Sequence, residues 1–202
     1  MKKSALQCAR AAYQPKLPKG LRGNVTIKEG APTQSVGDQE EIKKLFPNTY
    51  GMPIVEFVPT DEKKEYAPIN IGVILSGGQA PGGHNVICGL YDELKKQNPQ
   101  NKLYGFLMGP GGLVNHKYIE MTDELINEYR NTGGFDMIGS GRTKLEEVDQ
   151  FESGLKIINE LGINAIVIIG GDDSNTNASV LAEYYAAKKC GVQVIGCPKT
   201  ID

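Results

Sequence analysis

A chain of 202 residues, 40% hydrophobic and 23% charged, is long enough for one sizeable α/β domain plus an extension. Its net charge of −2 offers no field for unspecific binding to nucleic acid or an anionic membrane, and no apolar run is long enough to span a bilayer. The cysteines Cys8, Cys88, Cys190 and Cys197 fall in no CxxC spacing and read as reduced thiols of a cytoplasmic protein; residues 1–13 lack the apolar stretch of a secretory signal.

Residues 1–46 read as an extension, with a short helix opened by Ser4, breaks at Pro15, Pro18, Gly20 and Gly23, and a second short helix over 38–46. A connector follows, in which residues 54–57 suit an edge strand and the charged run 61–65 a solvated loop. The division expected is therefore an extension and connector over 1–67 and an α/β domain over 68–202. That domain opens with a buried strand at 69–75 (INIGVIL), a loop at 76–83 (SGGQAPGG), and a helix from His84 to Gln97 with Val86, Ile87, Leu90 and Leu94 on one face. Strand, glycine loop and helix together cradle an anion, because free backbone N–H groups and the helix dipole both point at it. The loop fits neither GxGxxG nor GxxxxGK[ST], which argues against a simple dinucleotide-binding module and a Walker loop.

A second strand spans 102–108 and ends in Gly109-Pro110-Gly111-Gly112. Thr122 caps a helix to Arg130, and a short strand at Met137-Ile138 leads into Gly139-Ser140-Gly141-Arg142. An arginine after a glycine turn at a sheet edge can fork onto phosphate oxygens, though a surface ion pair satisfies it equally. A long helix covers 145–161 and ends at Gly162. The run 165–173 (AIVIIGGDD) is then an apolar β-branched strand that stops at two glycines and two aspartates, at the carboxyl edge where open α/β sheets bind ligands. Adjacent carboxylates suit a hard cation such as Mg²⁺, which arrives with phosphates; a helix cap needs only one aspartate. A helix over 175–189 opening on Ser174, and a last strand at 192–196 before Cys197-Pro198-Lys199-Thr200-Ile201-Asp202, complete the order. Alternating strands and helices imply a mostly parallel sheet with helices on both faces, a Rossmann-like three-layer arrangement whose loops converge on one edge. His84 reads as a helix-start residue and His116 as a surface residue.

Four motifs in this order and spacing, SGGQAPGG at 76–83, GSGR at 139–142, GGDDS at 170–174 and PKTID at 198–202, resemble the phosphofructokinase family. The GGDD and PKTID forms are similar to its pyrophosphate-dependent branch, and the extension resembles the longer class of that branch. The resemblance implies a phosphofructokinase-like fold and a reversible transfer of phosphate from pyrophosphate to the 1-hydroxyl of fructose 6-phosphate with Mg²⁺. It implies a diphosphate contact through the Gly78 backbone, donor contact and charge stabilisation by Arg142, Mg²⁺ held by Asp172, and a sugar-phosphate site at Thr200, Ile201 and Asp202, with Asp202 as the base. Asp173 stands where the ATP-using branch has a glycine and Lys199 where it has another small residue. Asp173 is thereby implied to exclude the nucleotide's α-phosphate, and Lys199 to restore positive charge and hold the departing phosphate.

The alternatives are an ATP-dependent or sedoheptulose-7-phosphate-using relative, and a non-catalytic regulatory subunit; intact Arg142, Asp172 and Asp202 weigh against the last. The family is substantially longer than 202 residues. The chain is accordingly expected to be the N-terminal portion of a homo-oligomeric enzyme and to turn over little by itself.

Overall fold

The structure, a computed structural model, describes residues 3–199 and divides into two compact units: residues 13–66, and residues 3–12 together with 67–199. In the smaller unit, β1 (Val25–Pro32) runs antiparallel to β2 (Pro53–Pro59), with Val25 opposite Pro59 and an irregularity after Glu29. Helix α2 (Gln39–Leu45) lies between them in sequence. The strand expected at 54–57 is thus one half of a ribbon, and its partner β1 lies in a stretch that sequence periodicity left as extension.

The larger unit begins with α1 (Ala5–Ala12), where Ser4 and Gln7 cap each other: Gln7 N–H donates to Ser4 Oγ at 3.2 Å and Ser4 N–H to Gln7 Oε1 at 2.7 Å. Its sheet is built from β3 (Asn70–Leu75), β4 (Lys102–Phe106), β5 (Tyr118–Glu120), β6 (Ile163–Gly170) and β7 (Gln193–Pro198), in the spatial order β5-β4-β3-β6-β7. All neighbours are parallel except β5, which pairs antiparallel with β4 on the edge. β5 is only three residues long, which is why alternation could not reveal it.

The alternation of side chains along the central strands decides the layers. Val73, Leu75, Val167 and Ile169 face one side, where they meet Ile87, Cys88, Tyr91 and Leu94 of α3 (Gly83–Gln97) and Ile126 of α5 (Asp123–Tyr129). Ile74, Ile166 and Ile168 face the other. There they meet Leu113 of α4 (Pro110–Val114), Phe151, Ile157 and Ile158 of α6 (Val148–Glu160), and Ala178, Leu181 and Tyr185 of α7 (Asp172–Lys188). Each such side chain taken fully from water contributes about 1.5–3 kcal/mol, so the two clusters hold helices on both faces of one sheet. Among the described residues no helix is long and apolar enough to cross a membrane.

Three local expectations change. Met137 and Ile138 form a turn rather than a strand, because the Ile138 carbonyl makes a single bond, to Met108 N–H at 2.8 Å. The sixth helix begins at Val148, where Glu147 and Gln150 form a capping box. The seventh begins at Asp172, so the paired aspartates stand inside its first turn.

Topology then selects the ligand edge. From β3 the chain passes to β4 on one side and later to β6 on the other, so the carboxyl ends of β3 and β6 flank a switch point. Crevices that admit ligands open at such points.

Candidate active site

Strand register builds the crevice. Leu75 pairs with Ile169, and Ser76 N–H continues the ladder to the Ile169 carbonyl at 2.8 Å. Gly170 pairs with Pro198, and Lys199 N–H donates to the Gly170 carbonyl at 3.0 Å. Three strand ends thereby bring Ser76-Gly77-Gly78, Gly171-Asp172-Asp173 and Lys199 to one row.

The β6–α7 turn is closed by its own side chains. Asn175 Nδ2 donates to the carbonyls of Gly170 and Gly171 at 2.8 and 2.7 Å. The Ser174 hydroxyl donates to Ser76 Oγ at 2.8 Å and ties the turn to the loop after β3. Asp172 and Asp173 occupy the first turn of α7, where the helix dipole favours negative charge, and both are exposed.

The segment carrying Arg142 is held by backbone. Ser76 and Gly141 form a parallel bridge, and Gly77 N–H donates to the Gly141 carbonyl at 2.8 Å. A Cβ on Gly141 would stand 2.1 Å from the Met108 carbonyl oxygen, so only glycine allows these two strands of backbone to touch. Beyond this bridge the Arg142 guanidinium reaches across the glycine loop, with Nη2 3.4 Å from where a Cβ of Gly78 would lie. The Lys199 ammonium lies over Gly77, 3.8 Å from the corresponding point, and Gly77 has φ +83°, a backbone form that favours glycine.

A cavity of about 370 Å³ results. Gly77 and Gly78 line it together with three cations, Arg142, Lys144 and Lys199, and two carboxylates, Asp172 and Asp173. Asn177 also lines it and accepts from Leu145 N–H at 3.1 Å, which steadies the stretch after Arg142. Of the residues singled out in the sequence, Gly78, Arg142, Asp172, Asp173 and Lys199 line this one cavity; Thr200, Ile201 and Asp202 lie outside the described residues. Sequence reasoning missed Lys144 and Asn177. Lys144 follows Arg142 by two residues, and Asn177 lies one helical turn beyond Asp173, so motif extension and helical spacing were the available signals.

The arrangement suits a polyanion. A glycine loop, a helix N-terminus and three cations line phosphate-sized space. A hard cation fits beside Asp172 and Asp173. Their exposed oxygen donors match its preference, and among the described residues no cluster of three or more His, Cys, Asp or Glu forms a closed metal cage. The two histidines stand apart from the cavity. His84 is fully buried at the start of α3, and His116 is half-buried, with Nε2 3.0 Å from the Ser153 carbonyl.

Comparison with known proteins identifies the family. The chain is 66% identical over 202 residues to the pyrophosphate–fructose 6-phosphate 1-phosphotransferase of Porphyromonas gingivalis, covering 100% of this chain and 37% of that protein. It is 52% identical over 204 residues to the protein of the same name from Entamoeba histolytica, with the same coverage. The chain therefore spans a little over a third of the length of these relatives. A crystal structure of a pyrophosphate-dependent phosphofructokinase from Nitrosospira multiformis superimposes with a TM-score of 0.60 at 23% identity, over 67% of this chain and 35% of that one, and shares the fold. The phosphofructokinase family profile matches residues 70–202, two-thirds of the chain, and the chain belongs to the phosphofructokinase family.

Proposed function

We propose that the chain forms the phosphoryl-donor side of a pyrophosphate-dependent phosphofructokinase, which transfers phosphate from pyrophosphate to the 1-hydroxyl of fructose 6-phosphate. The observation that carries this reading is that Asp173 and Lys199 line the same cavity as Arg142 and Asp172. The names of the relatives support it.

The donor lies on the glycine loop, with Arg142 and Lys199 on its oxygens. Two unit charges about 4 Å apart interact by roughly 1 kcal/mol in water and about 4 at an effective dielectric near 20. The Asp173 carboxylate imposes a repulsion of that order on a nucleotide α-phosphate, while pyrophosphate ends before that space. Asp172 would hold Mg²⁺, which when bound would neutralise charge on the donor oxygens.

In the transfer, the sugar 1-oxygen forms a bond to one phosphorus and the bridging P–O bond of pyrophosphate breaks. The hydroxyl proton passes to Asp202, and orthophosphate leaves against Lys199. Arg142 spreads over the equatorial oxygens, where charge accumulates in the transition state.

The test is a phosphorylation assay of fructose 6-phosphate on the full-length protein containing these residues, with Mg²⁺ and either pyrophosphate or ATP. Turnover with pyrophosphate and not ATP is expected. Turnover with ATP alone overturns the donor assignment, and turnover with neither brings forward a regulatory role.

A further inference from the structure

His84 is the second residue of α3, directly after the glycine loop, and its side chain is completely buried without lining the cavity. A buried imidazole requires partners for both ring nitrogens. Nε2 lies 3.0 Å from the backbone nitrogen of Met137, which can only donate, and 3.2 Å from the largely exposed Asp136 carboxylate; a proton on Nε2 would set it against the Met137 N–H, so Nε2 is the unprotonated nitrogen. The ring proton therefore sits on Nδ1, 2.5 Å from Thr132 Oγ1. Thr132 passes its own proton on to the Tyr129 carbonyl at 2.6 Å. One main-chain N–H thus determines the direction of the whole relay.

Around the ring, residues 133–137 are clasped to the first turn of α3. Gly82 N–H donates to the Gly133 carbonyl at 2.6 Å and His84 N–H to the Gly134 carbonyl at 2.9 Å. The Phe135 ring fills the space where a Cβ of Gly83 would lie, 2.6 Å from that point. Two cavity residues adjoin this clasp. The Lys199 ammonium stands 5.9 Å over the Phe135 ring. Arg142 leaves the clasp five residues after Met137, through the Ser76–Gly141 bridge.

We propose that His84 is a positioning residue for the diphosphate site: by accepting the Met137 N–H it locks the 133–142 segment onto the glycine loop and so sets Arg142 and Lys199 for the donor. The naming of that donor rests on the function proposed above; the clasp itself does not.

Two substitutions separate the acceptor from mere bulk. In His84→Gln the side-chain oxygen reaches the Nε2 position and still accepts from Met137. In His84→Asn the side chain reaches only the Nδ1 position and leaves Met137 N–H unpaired. On the full-length protein, H84N is expected to raise KM for pyrophosphate tenfold or more with KM for fructose 6-phosphate within twofold of wild type, and H84Q to restore it to within threefold. Hydrogen exchange of peptides covering 133–142 is expected to quicken at least tenfold in H84N and within threefold in H84Q.

Wild-type behaviour of H84N in both measurements, equal impairment of H84Q and H84N, or equal rises in both KM values overturns the proposal. Should H84N fail to fold, Thr132→Val removes only the distal half of the relay at a half-buried position. A three- to tenfold rise in KM for pyrophosphate is then expected, and no change overturns the proposal. A wild-type protein inactive with pyrophosphate removes the donor assignment, and hydrogen exchange alone then decides the clasp.

Discussion

The hydroxyl of Ser174 donates to Ser76 Oγ at 2.8 Å, joining the first turn of α7 to the loop after β3 across the switch point. Both serines are largely buried at the wall of the cavity, so losing the bond leaves a mostly desolvated hydroxyl without its partner. Ser174→Ala is expected to cost about 1–3 kcal/mol, because it leaves Ser76 without that partner. Chemical denaturation of wild type and variant checks the figure. Because the bond also spaces Asp172 from Gly78, a parallel rise in KM for pyrophosphate is expected.

In the function proposed above, donor choice rests on Asp173 and Lys199. Asp173→Gly combined with Lys199→Gly is expected to lower kcat/KM for pyrophosphate by about 10²-fold or more and to admit ATP, since one change removes the repulsion and the other the compensating charge. Steady-state kinetics with both donors check this; a double variant without ATP turnover weakens the electrostatic account.

Arg142→Lys keeps the charge and loses the planar fork. At a site where one group faces several phosphate oxygens the two are not equivalent. A fall of about 10²-fold in kcat is expected, with unfolding stability unchanged because the side chain is exposed. Paired kinetic and thermal measurements distinguish this from a folding defect.

Gly141→Ala has the opposite signature. Its Cβ would meet the Met108 carbonyl oxygen at 2.1 Å, a main-chain atom that cannot swing aside. Destabilisation of about 1–3 kcal/mol or more is expected, with loss of the Ser76 bridge and of donor binding together. Unfolding midpoints measured with and without pyrophosphate report both.

Stability should also depend on pH through His84. Burial holds its imidazole below the ordinary 6.5, with the Asp136 carboxylate, 3.2 Å from Nε2, pulling the other way. The edge of the Tyr129 ring also packs against it. The unfolded chain thus takes up a proton at a pH where the folded one does not. The contribution of His84 is complete above about pH 6.5 and declines as the pH falls from there towards the lowered native value. The melting-temperature difference between wild type and H84Q is expected to shrink on acidification through that window; a constant difference refutes the assignment.

Much of this was legible in the chain itself, for reasons that are local. The runs at 71–75 and 165–169 are apolar without interruption, the pattern expected of a strand covered on both faces, and nearly all of their side chains are buried. Each ends in glycines beside polar or charged residues, so the sheet edge and its glycine loops could be read without coordinates. The spacing of Ile87, Leu94, Leu181 and Tyr185 marked the buried faces of α3 and α7 for the same reason.

The tertiary structure alone decided what depends on long-range pairing. β1 finds β2 nearly thirty residues away, and β5 is too short for alternation to speak. Lys144 and Asn177 meet at the cavity, where Asn177 accepts from Leu145 N–H across 32 residues of chain. His84 looked like an ordinary helix-start residue. Its significance lies in a bond to Met137, 53 residues on, whose main-chain N–H has no side-chain identity for a sequence to display. Hydrophobic period and turn chemistry are written residue by residue. A backbone donor acquires its partner only when the chain has closed on itself.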